Sequence, residues 1–284
     1  LNTTGTGVAI GKCALKSNTT GANNVAVGLE SMIANTTASN NTAVGFCSLS
    51  TNTTGSQSEA FGSCALRDNT TGCRNVAVGK GSMLLNTEGE CNVSVGHTAL
   101  SANTTGDCNT AIGVKALNAN TTASNNTALG FQSLTANTTG ANNTAVGCGA
   151  LLSNTNASQN TAVGQGALAT NSTGETNTAI GRFALTANTT ASNNVAVGRN
   201  SLSANTTGEV NTAIGTASMV TNTTGFGNTA LGKNSLYTNN GNNNTAVGHE
   251  ALELNTSGDS NVALGRQALE ANTTASANTA VGYE

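Results

Sequence analysis

Residues 177–193 read NTAIGRFALTANTTASN, and the stretches before and after them repeat this pattern with few changes. A block of the type Asn-Thr-Ala-Val-Gly starts at residue 7 and recurs every 17 residues up to residue 278, except for one interval of 16 between residues 228 and 244. The consensus unit is N-T-A-V-G-x-x-A-L-x-x-N-T-T-G-x-x, numbered here as positions 1 to 17. Complete repeats fill residues 7–277, which predicts a single repeat array over residues 1–284, a fragment of a longer protein.

The length of the repeat indicates the fold. Helical repeats need about 33 to 47 residues and leucine-rich repeats about 20 to 29, whereas 17 residues suit one coil of a narrow β-solenoid. The Thr-Ala-Val segment alternates as a strand does, Ala-Leu-x-x predicts a second short strand, and clusters of Gly, Asn and Thr predict the turns between them. We therefore predict an all-β, parallel β-solenoid or β-roll of about 16 coils, with two short strands per coil.

The alternation of side chains along a strand assigns the faces of each coil. We predict that positions 2, 4, 9 and usually 11 point inside and that position 3 points outside. Position 3 is Ala in every repeat but one, so the prediction gives a flat outward ladder against which another copy packs. This chain-contact face is represented by Ala26, Ala77, Ala145 and Ala213. The alternative is that the small residue serves tight packing inside the coil.

Two further positions do not vary. Position 5 is Gly at every occurrence, which indicates a positive φ or no room for a Cβ; examples are Gly28, Gly79, Gly147 and Gly215. Position 12 is Asn in every complete repeat; examples are Asn35, Asn103, Asn188 and Asn272. These Asn residues predict a ladder of side-chain amides along the stack, or glycosylation, because most stand in an Asn-x-Thr/Ser sequon.

The second turn of the repeat occurs in two forms. Where Ala replaces Gly at position 15, Ser follows at position 16, as in Ala191-Ser192. We interpret the two forms as two solutions for one corner, one using the freedom of Gly and the other a hydroxyl that bonds the local backbone.

Composition excludes several classes of function. Charged residues make up 8% and aromatic residues 2% of the chain, and the net charge is −3. Nucleic-acid binding is disfavoured because the chain has few cations to neutralise phosphates and few rings for stacking. No stretch approaches the roughly 20 apolar residues of a membrane-spanning helix. No leader sequence opens the chain, so targeting and anchoring segments are expected outside residues 1–284.

The repeat offers little for catalysis, which needs several different groups in one place. The two histidines, His97 and His249, both stand at position 6 but nine repeats apart, and the acidic residues are scattered over variable positions. We predict that the chain is not an enzyme and that it takes no cofactor and no metal. Variable positions 6, 7, 10 and 16 are candidates for ligand contact, or else they drift on a solvent-facing edge.

The seven cysteines lack the Cys-x-x-Cys spacing of metal sites. Cys47 and Cys64 both stand at position 7, and Cys91 and Cys108 both stand at position 17. Stacking in adjacent coils separates each pair of Cα atoms by about 4.8 Å, within the disulfide window of about 4.4–6.8 Å. This geometry allows axial disulfides at both pairs, or free and partly buried thiols.

The repeat resembles those of two groups of fibrous proteins. The block Asn75-Val76-Ala77-Val78-Gly79 resembles the head repeats of YadA-like trimeric autotransporter adhesins. The full unit, as in residues 177–185, is similar to repeats of phage-type tail fibres. The resemblance implies a left-handed parallel β-roll, three chains around one axis, and attachment to surfaces. The present unit differs in being longer, because it inserts A-L-x-x-N-T-T before the next block.

These features predict a non-catalytic structural or adhesive segment of an extracellular fibre, either a cell-surface adhesin or a virion tail fibre, that presents a binding tip. The predicted partner is the chain itself, as a homo-oligomer with a trimer favoured, and glycans or proteins of a host surface are candidate partners. One alternative is a self-assembling extracellular filament or matrix protein. Another is an ice-binding solenoid, which would require flat ranks of Thr, although Val replaces Thr at position 2 in several repeats.

Overall fold

The computed structural model describes residues 6–284 and contains 17 short parallel strands, one in each repeat. They form a β-solenoid of about 16 turns, so the predicted fold class is confirmed. Residues 6–284 contain no helix, and hence none that is long and apolar enough to cross a membrane.

The contacts divide the chain into two compact units, Leu1–Asn142 and Asn143–Glu284. The strands of the first unit are β1 Gly7–Ile10, β2 Asn24–Val27, β3 Thr42–Val44, β4 Glu59–Phe61, β5 Val76–Val78, β6 Val93–Val95, β7 Thr110–Ile112 and β8 Thr127–Leu129. The strands of the second unit are β9 Thr144–Val146, β10 Thr161–Val163, β11 Thr178–Ile180, β12 Val195–Val197, β13 Thr212–Ile214, β14 Thr229–Leu231, β15 Thr245–Val247, β16 Val262–Leu264 and β17 Thr279–Val281. Within each unit, neighbouring strands pair in parallel with equal repeat positions opposite each other, as Ala26 lies opposite Ala43 and Ala162 opposite Ala179.

The predicted second strand of each coil is wrong. The Ala-Leu-x-x segment forms turns, and left-handed residues bend the chain at positions 7 and 9, as Phe183 (φ 57°) and Leu185 (φ 51°) do. The backbone still bonds along the stack, because the Leu185 N–H donates to the Ser201 carbonyl at 3.0 Å. The left-handed region costs an L-residue about 1–2 kcal/mol, so residue preference does not predict it. Burial of the Leu side chain offsets that cost.

The predicted faces of the strand are reversed. Ala179 at position 3 is fully buried, whereas Thr178 at position 2 is half-buried and Ile180 at position 4 is exposed. Position 9 lies inside as predicted, but position 11 does not, since Ala187 is half-buried and Thr221 is exposed. The alternative interpretation, tight packing inside the coil, is therefore correct for position 3. The four Ala residues assigned to a chain-contact face are all fully buried within their own coils, so they cannot contact another copy; they are Ala26, Ala77, Ala145 and Ala213.

A narrow core explains why the inward residue of the strand is small. In the coil of residues 177–193 the buried side chains include Ala179, Ala184 and a single large apolar one, Leu185. The Leu or Met side chains at position 9 stack along each unit, and each contributes roughly 1.5–3 kcal/mol when fully buried. The space opposite that column takes only a methyl or hydroxymethyl group, so the β-branched residues of the strand lie on its outer face.

The Gly of position 5 meets both conditions expected of it. Gly147 has φ +131°, and a Cβ added to it would lie 2.7 Å from the carbonyl carbon and oxygen of Gly164 in the next coil. Gly28, Gly79 and Gly215 have φ between +127° and +138° and the same close contact with the next Gly. This column of glycines lets the backbones of successive coils approach where the strand ends.

The one short coil, residues 228–243, remains bonded to the coil before it because a side-chain oxygen takes the place of a backbone carbonyl. In a regular coil the carbonyl of Thr223 accepts three bonds from the coil before it, from the N–H groups of Thr206 and Thr207 and from the Thr206 hydroxyl. The next coil lacks one residue at this corner, and there the side-chain Oδ1 of Asn240 accepts the three equivalent bonds from Thr223 and Thr224. The side-chain amide thus replaces a peptide carbonyl, and these three donors keep an acceptor despite the deletion.

Candidate functional site

The Asn side chains of position 12 form a buried ladder. Asn188 is fully buried, and its Nδ2 donates to the Oδ1 of Asn171 at 2.8 Å and to the Ala191 carbonyl at 2.9 Å. Its own Oδ1 accepts from the Nδ2 of Asn205 at 3.1 Å. The other Asn residues named for this ladder donate in the same way, at 2.8 Å to the Asn of the preceding coil; they are Asn35, Asn103 and Asn272.

A second ladder at position 1 was missed by the sequence analysis. The Oδ1 of Asn160 accepts the backbone N–H of Asn177 at 2.9 Å, and the Nδ2 of Asn177 donates to the Ala191 carbonyl at 2.9 Å. One carbonyl at position 15 therefore receives both Asn side chains of its coil, and this closes the coil. Ser58 replaces Asn once, and its hydroxyl accepts the Asn75 N–H at 3.2 Å. The near-constant Asn of position 1 was the signal available in the sequence.

The ladder decides between the two interpretations of the position 12 sequons. A side-chain amide has two N–H donors, and Asn188 uses both of them within the core. An N-linked glycan would replace one of these hydrogens and would have to leave through a fully buried position. A folded coil of this kind therefore cannot carry a glycan on the Asn of position 12.

Position 16 also takes part in bonding along the stack. The Ser192 hydroxyl accepts the Glu175 N–H at 3.0 Å, and the Asp259 carboxylate accepts the Asn242 N–H at 2.6 Å. The hydroxyl of the Ala-Ser corner therefore bonds the preceding coil, and the expectation of a bond to the local backbone was wrong. The bond to the preceding coil explains why Ser and Asp occur at this position. It does not explain the longer Glu side chains, Glu175 and Glu209.

The outward side chains of positions 2 and 4 form a regular surface, which we name the sheet face. It is mostly apolar, because position 4 carries Val, Ile, Leu or Phe and position 2 carries Thr or Val. Large side chains stand well out of it, with 41% of Ile180, 45% of Leu231 and 47% of Leu264 exposed. In the first unit Glu59 interrupts the face, and partial burial raises the pKa of its carboxyl.

The four cysteines considered for axial disulfides are free thiols in the structure. Cys47 and Cys64 are half-buried, and Cys91 and Cys108 are exposed. The Cys47 thiol donates to the Glu30 carboxylate at 3.5 Å. Axial pairing upon oxidation stays a prediction, because both pairs occupy equal positions in adjacent coils.

Cys47 is expected to react several-fold more slowly with iodoacetamide than the exposed Cys91 near pH 8, because the thiolate is the nucleophile. Burial raises the pKa of the Cys47 thiol, and the Glu30 carboxylate raises it further. A raised pKa delays thiolate formation, so its alkylation rate should continue to rise at higher pH. Time-resolved alkylation with peptide mass spectrometry measures both rates, and unfolding the chain in guanidinium should make them equal. Equal rates in the folded chain would contradict the assignment.

Acidic groups converge at one place in the second unit. Ligand oxygens of Glu250, Glu253 and Glu270, all half-buried, lie within 4.8 Å of one another. Burial raises the pKa of the Glu253 carboxyl, and the charges of Glu250 and Glu270 raise it further. His249 Nδ1 lies 3.2 Å from Glu250. Surface carboxylates gather in this way without a ligand too, so the cluster alone assigns no metal site.

Sequence comparison with known protein families and with characterised proteins finds no match to this chain. The candidate site is therefore defined by the structure alone. Its two components are an internal framework of stacked Leu, Ala and Asn side chains, and a surface, the sheet face.

Proposed function

We propose that this chain is a non-catalytic structural or adhesive segment of an extracellular fibre, which extends and presents a binding tip. One observation carries the proposal: within each unit, adjacent coils complete one another through the parallel sheet and two asparagine ladders. Stability in such an array accumulates through contacts between adjacent repeats, so the array can be extended without a new core. The location on a cell surface or a virion follows from the resemblance of the repeat to adhesin heads and tail fibres.

The proposal includes self-association through the sheet face, in place of the Ala ladder that the sequence suggested. An exposed apolar surface of this regularity is typical of an interaction site, and each side chain that it buries contributes about 25 cal/mol per Å². The resemblance favours three copies around one axis, with a left-handed coil.

The test is the mass of the intact chain in solution, measured by light scattering over a range of concentrations. The expected result is an oligomer, with a trimer favoured, that dissociates when the sheet face is made polar by Ile180→Asp. The matched control is Leu254→Asp, because Leu254 is 45% exposed at position 11 and lies outside the sheet face. A native chain that remains monomeric at every concentration would contradict self-association.

Ice binding is a second candidate function, because the Thr side chains of position 2 lie on the outer face rather than inside. In the second unit Thr161 and Thr178 stand in adjacent strands with equal positions paired, and a parallel sheet spaces them by about 4.8 Å. This candidate needs the sheet face in contact with water, so a stable oligomer argues against it. Thermal hysteresis of the purified chain would support ice binding, and the absence of thermal hysteresis would rule it out.

The self-assembling filament is the remaining alternative, and it predicts fibrils much longer than one chain in electron micrographs.

A further inference from the structure

Positive charge in the second unit is confined to one border of the sheet face. Every Lys and Arg of residues 143–284 stands at position 6, directly after the strand and its Gly. They form a column that we name the positive edge; its members are Arg182, Arg199, Lys233 and Arg266. No Asp or Glu occupies position 6 in any repeat.

The opposite border carries the opposite charge. Position 16 precedes the next strand, and in the second unit its ionisable residues are all acidic. They form the negative edge, which comprises Glu175, Glu209 and Asp259. No Lys, Arg or His occupies position 16 in any repeat. The apolar sheet face therefore lies between a positive and a negative border.

Bonds within the chain do not account for this separation of charge. Asp259 accepts a backbone N–H, and Arg182 lies over the Phe183 ring, 4.5 Å from its centroid. Within residues 6–284, however, no hydrogen bond or ion pair involves the side chain of Arg199, Glu175 or Glu209, and all three residues are exposed. Their charges are available to a partner.

We propose that copies of this chain associate in parallel and in register, with the positive edge of one copy against the negative edge of its neighbour. The inference rests on the proposed self-association and adds its direction and register. An axis parallel to the stacking direction, whether two-fold or three-fold, brings unlike edges together when the sheet faces meet. In a two-fold, face-to-face pair with opposite stacking directions, like edges meet and repel. Unlike charges therefore select the parallel arrangement.

The positions of the charges along the stack also fix the register. Glu175 and Arg182 stand on the two sides of the same strand, β11, and Asp259 and Arg266 stand on the two sides of β16. Symmetry about an axis along the stack sets equal strands at equal heights, so Arg182 meets Glu175 of the neighbouring copy and Arg266 meets Asp259. A slip by one coil, about 4.8 Å, would bury nearly the same apolar surface, because the repeat is nearly uniform. The charged edges supply the distinction between registers that the sheet face lacks.

The same arrangement holds in the first unit, taken by itself. Lys12 and Lys80 stand at position 6 there, and Glu90 and Asp107 stand at position 16. Arg74 already pairs with Glu90 within the chain, so the second unit offers the cleaner test.

The test reverses each edge separately in the full chain. One variant carries Arg182→Glu and Arg199→Glu, and the other carries Glu175→Arg and Glu209→Arg. The control carries Lys16→Glu and Lys115→Glu, which make the same change of charge as the positive-edge variant at exposed sites outside both edges. Sedimentation velocity measures association, and thermal melting checks that each variant folds.

Each edge variant alone is expected to associate about 10-fold more weakly or worse, because unlike edges become like edges. An equimolar mixture of the two edge variants should associate more strongly than either variant alone, because the reversed edge of each variant meets an unlike edge of the other. The control should match the native chain. If the native chain associates and both edge variants do so equally well, parallel edge pairing is overturned while self-association stands. A native chain that is always monomeric overturns self-association itself, and this inference with it.

Discussion

Replacing Gly147 by Ala is expected to lower the free energy of unfolding by about 3 kcal/mol or more, since backbone strain and steric overlap act together. The residue has φ +131°, a region that L-residues rarely adopt, and its new Cβ would lie 2.7 Å from backbone atoms of Gly164. No side chain can move to relieve this contact, because the obstacle is the backbone of the adjacent coil. Denaturant unfolding followed by circular dichroism measures the effect.

Gly149→Ala, in the same coil, is the matched control. Gly149 also has a positive φ, +64°, but a Cβ added there meets nothing within 4 Å. Only the cost of the left-handed conformation remains, about 1–2 kcal/mol. The two substitutions add the same methyl group, so the difference between them measures the close approach of the coils. Equal effects would show that the conformation of Gly147, rather than its lack of space, explains its invariance.

The sequence predicts the period, the parallel stack and the need for Gly at position 5. Each of these predictions rests on positions that do not vary between repeats, the Gly of position 5 and the Asn of position 12. The faces of the strand were predicted wrongly because hydrophobicity favours Val over Ala as a core residue. The range of side-chain sizes found at each position was a better guide to which face is buried. Positions 2 and 4 accept Glu59 and Phe61 in a single coil, whereas position 3 changes only from Ala to Ser94. A narrow core excludes such variation, so the variable positions lie outside.

The second strand was predicted wrongly for a different reason. Leu185 is an ordinary residue for a strand, but in the structure it has a left-handed φ of 51° and a fully buried side chain. Backbone hydrogen bonds to the next coil persist there, so the segment satisfies the pairing of a sheet without its conformation. The charged edges were equally hidden, because they border the strand on its outer face and the reversed assignment had placed that face inside.

The buried amides predict the second large effect. Asn188→Asp preserves the shape of the side chain but removes both donors, so the oxygens of Asn171 and Ala191 lose their bonds to it. A carboxylate would face those oxygens in a fully buried position. We expect a loss of about 3–5 kcal/mol near neutral pH, the sum of unsatisfied partners and an unpaired buried charge. Unfolding by denaturant, compared with the native chain at each pH, measures it.

The pH dependence separates charge from lost bonding. Burial without a partner raises the pKa of the introduced carboxyl in the folded chain above its unfolded value. The stability of the variant relative to the native chain should therefore fall as pH rises from the pKa of this carboxyl in the unfolded chain to its pKa in the folded chain. Below that range the stability should be partly recovered, because the protonated acid can donate one bond. Asn156→Asp at position 14 is the control, because this exposed side chain should change stability by no more than about 0.5 kcal/mol. Equal losses at the two positions would show that the ladder does not hold the coils together.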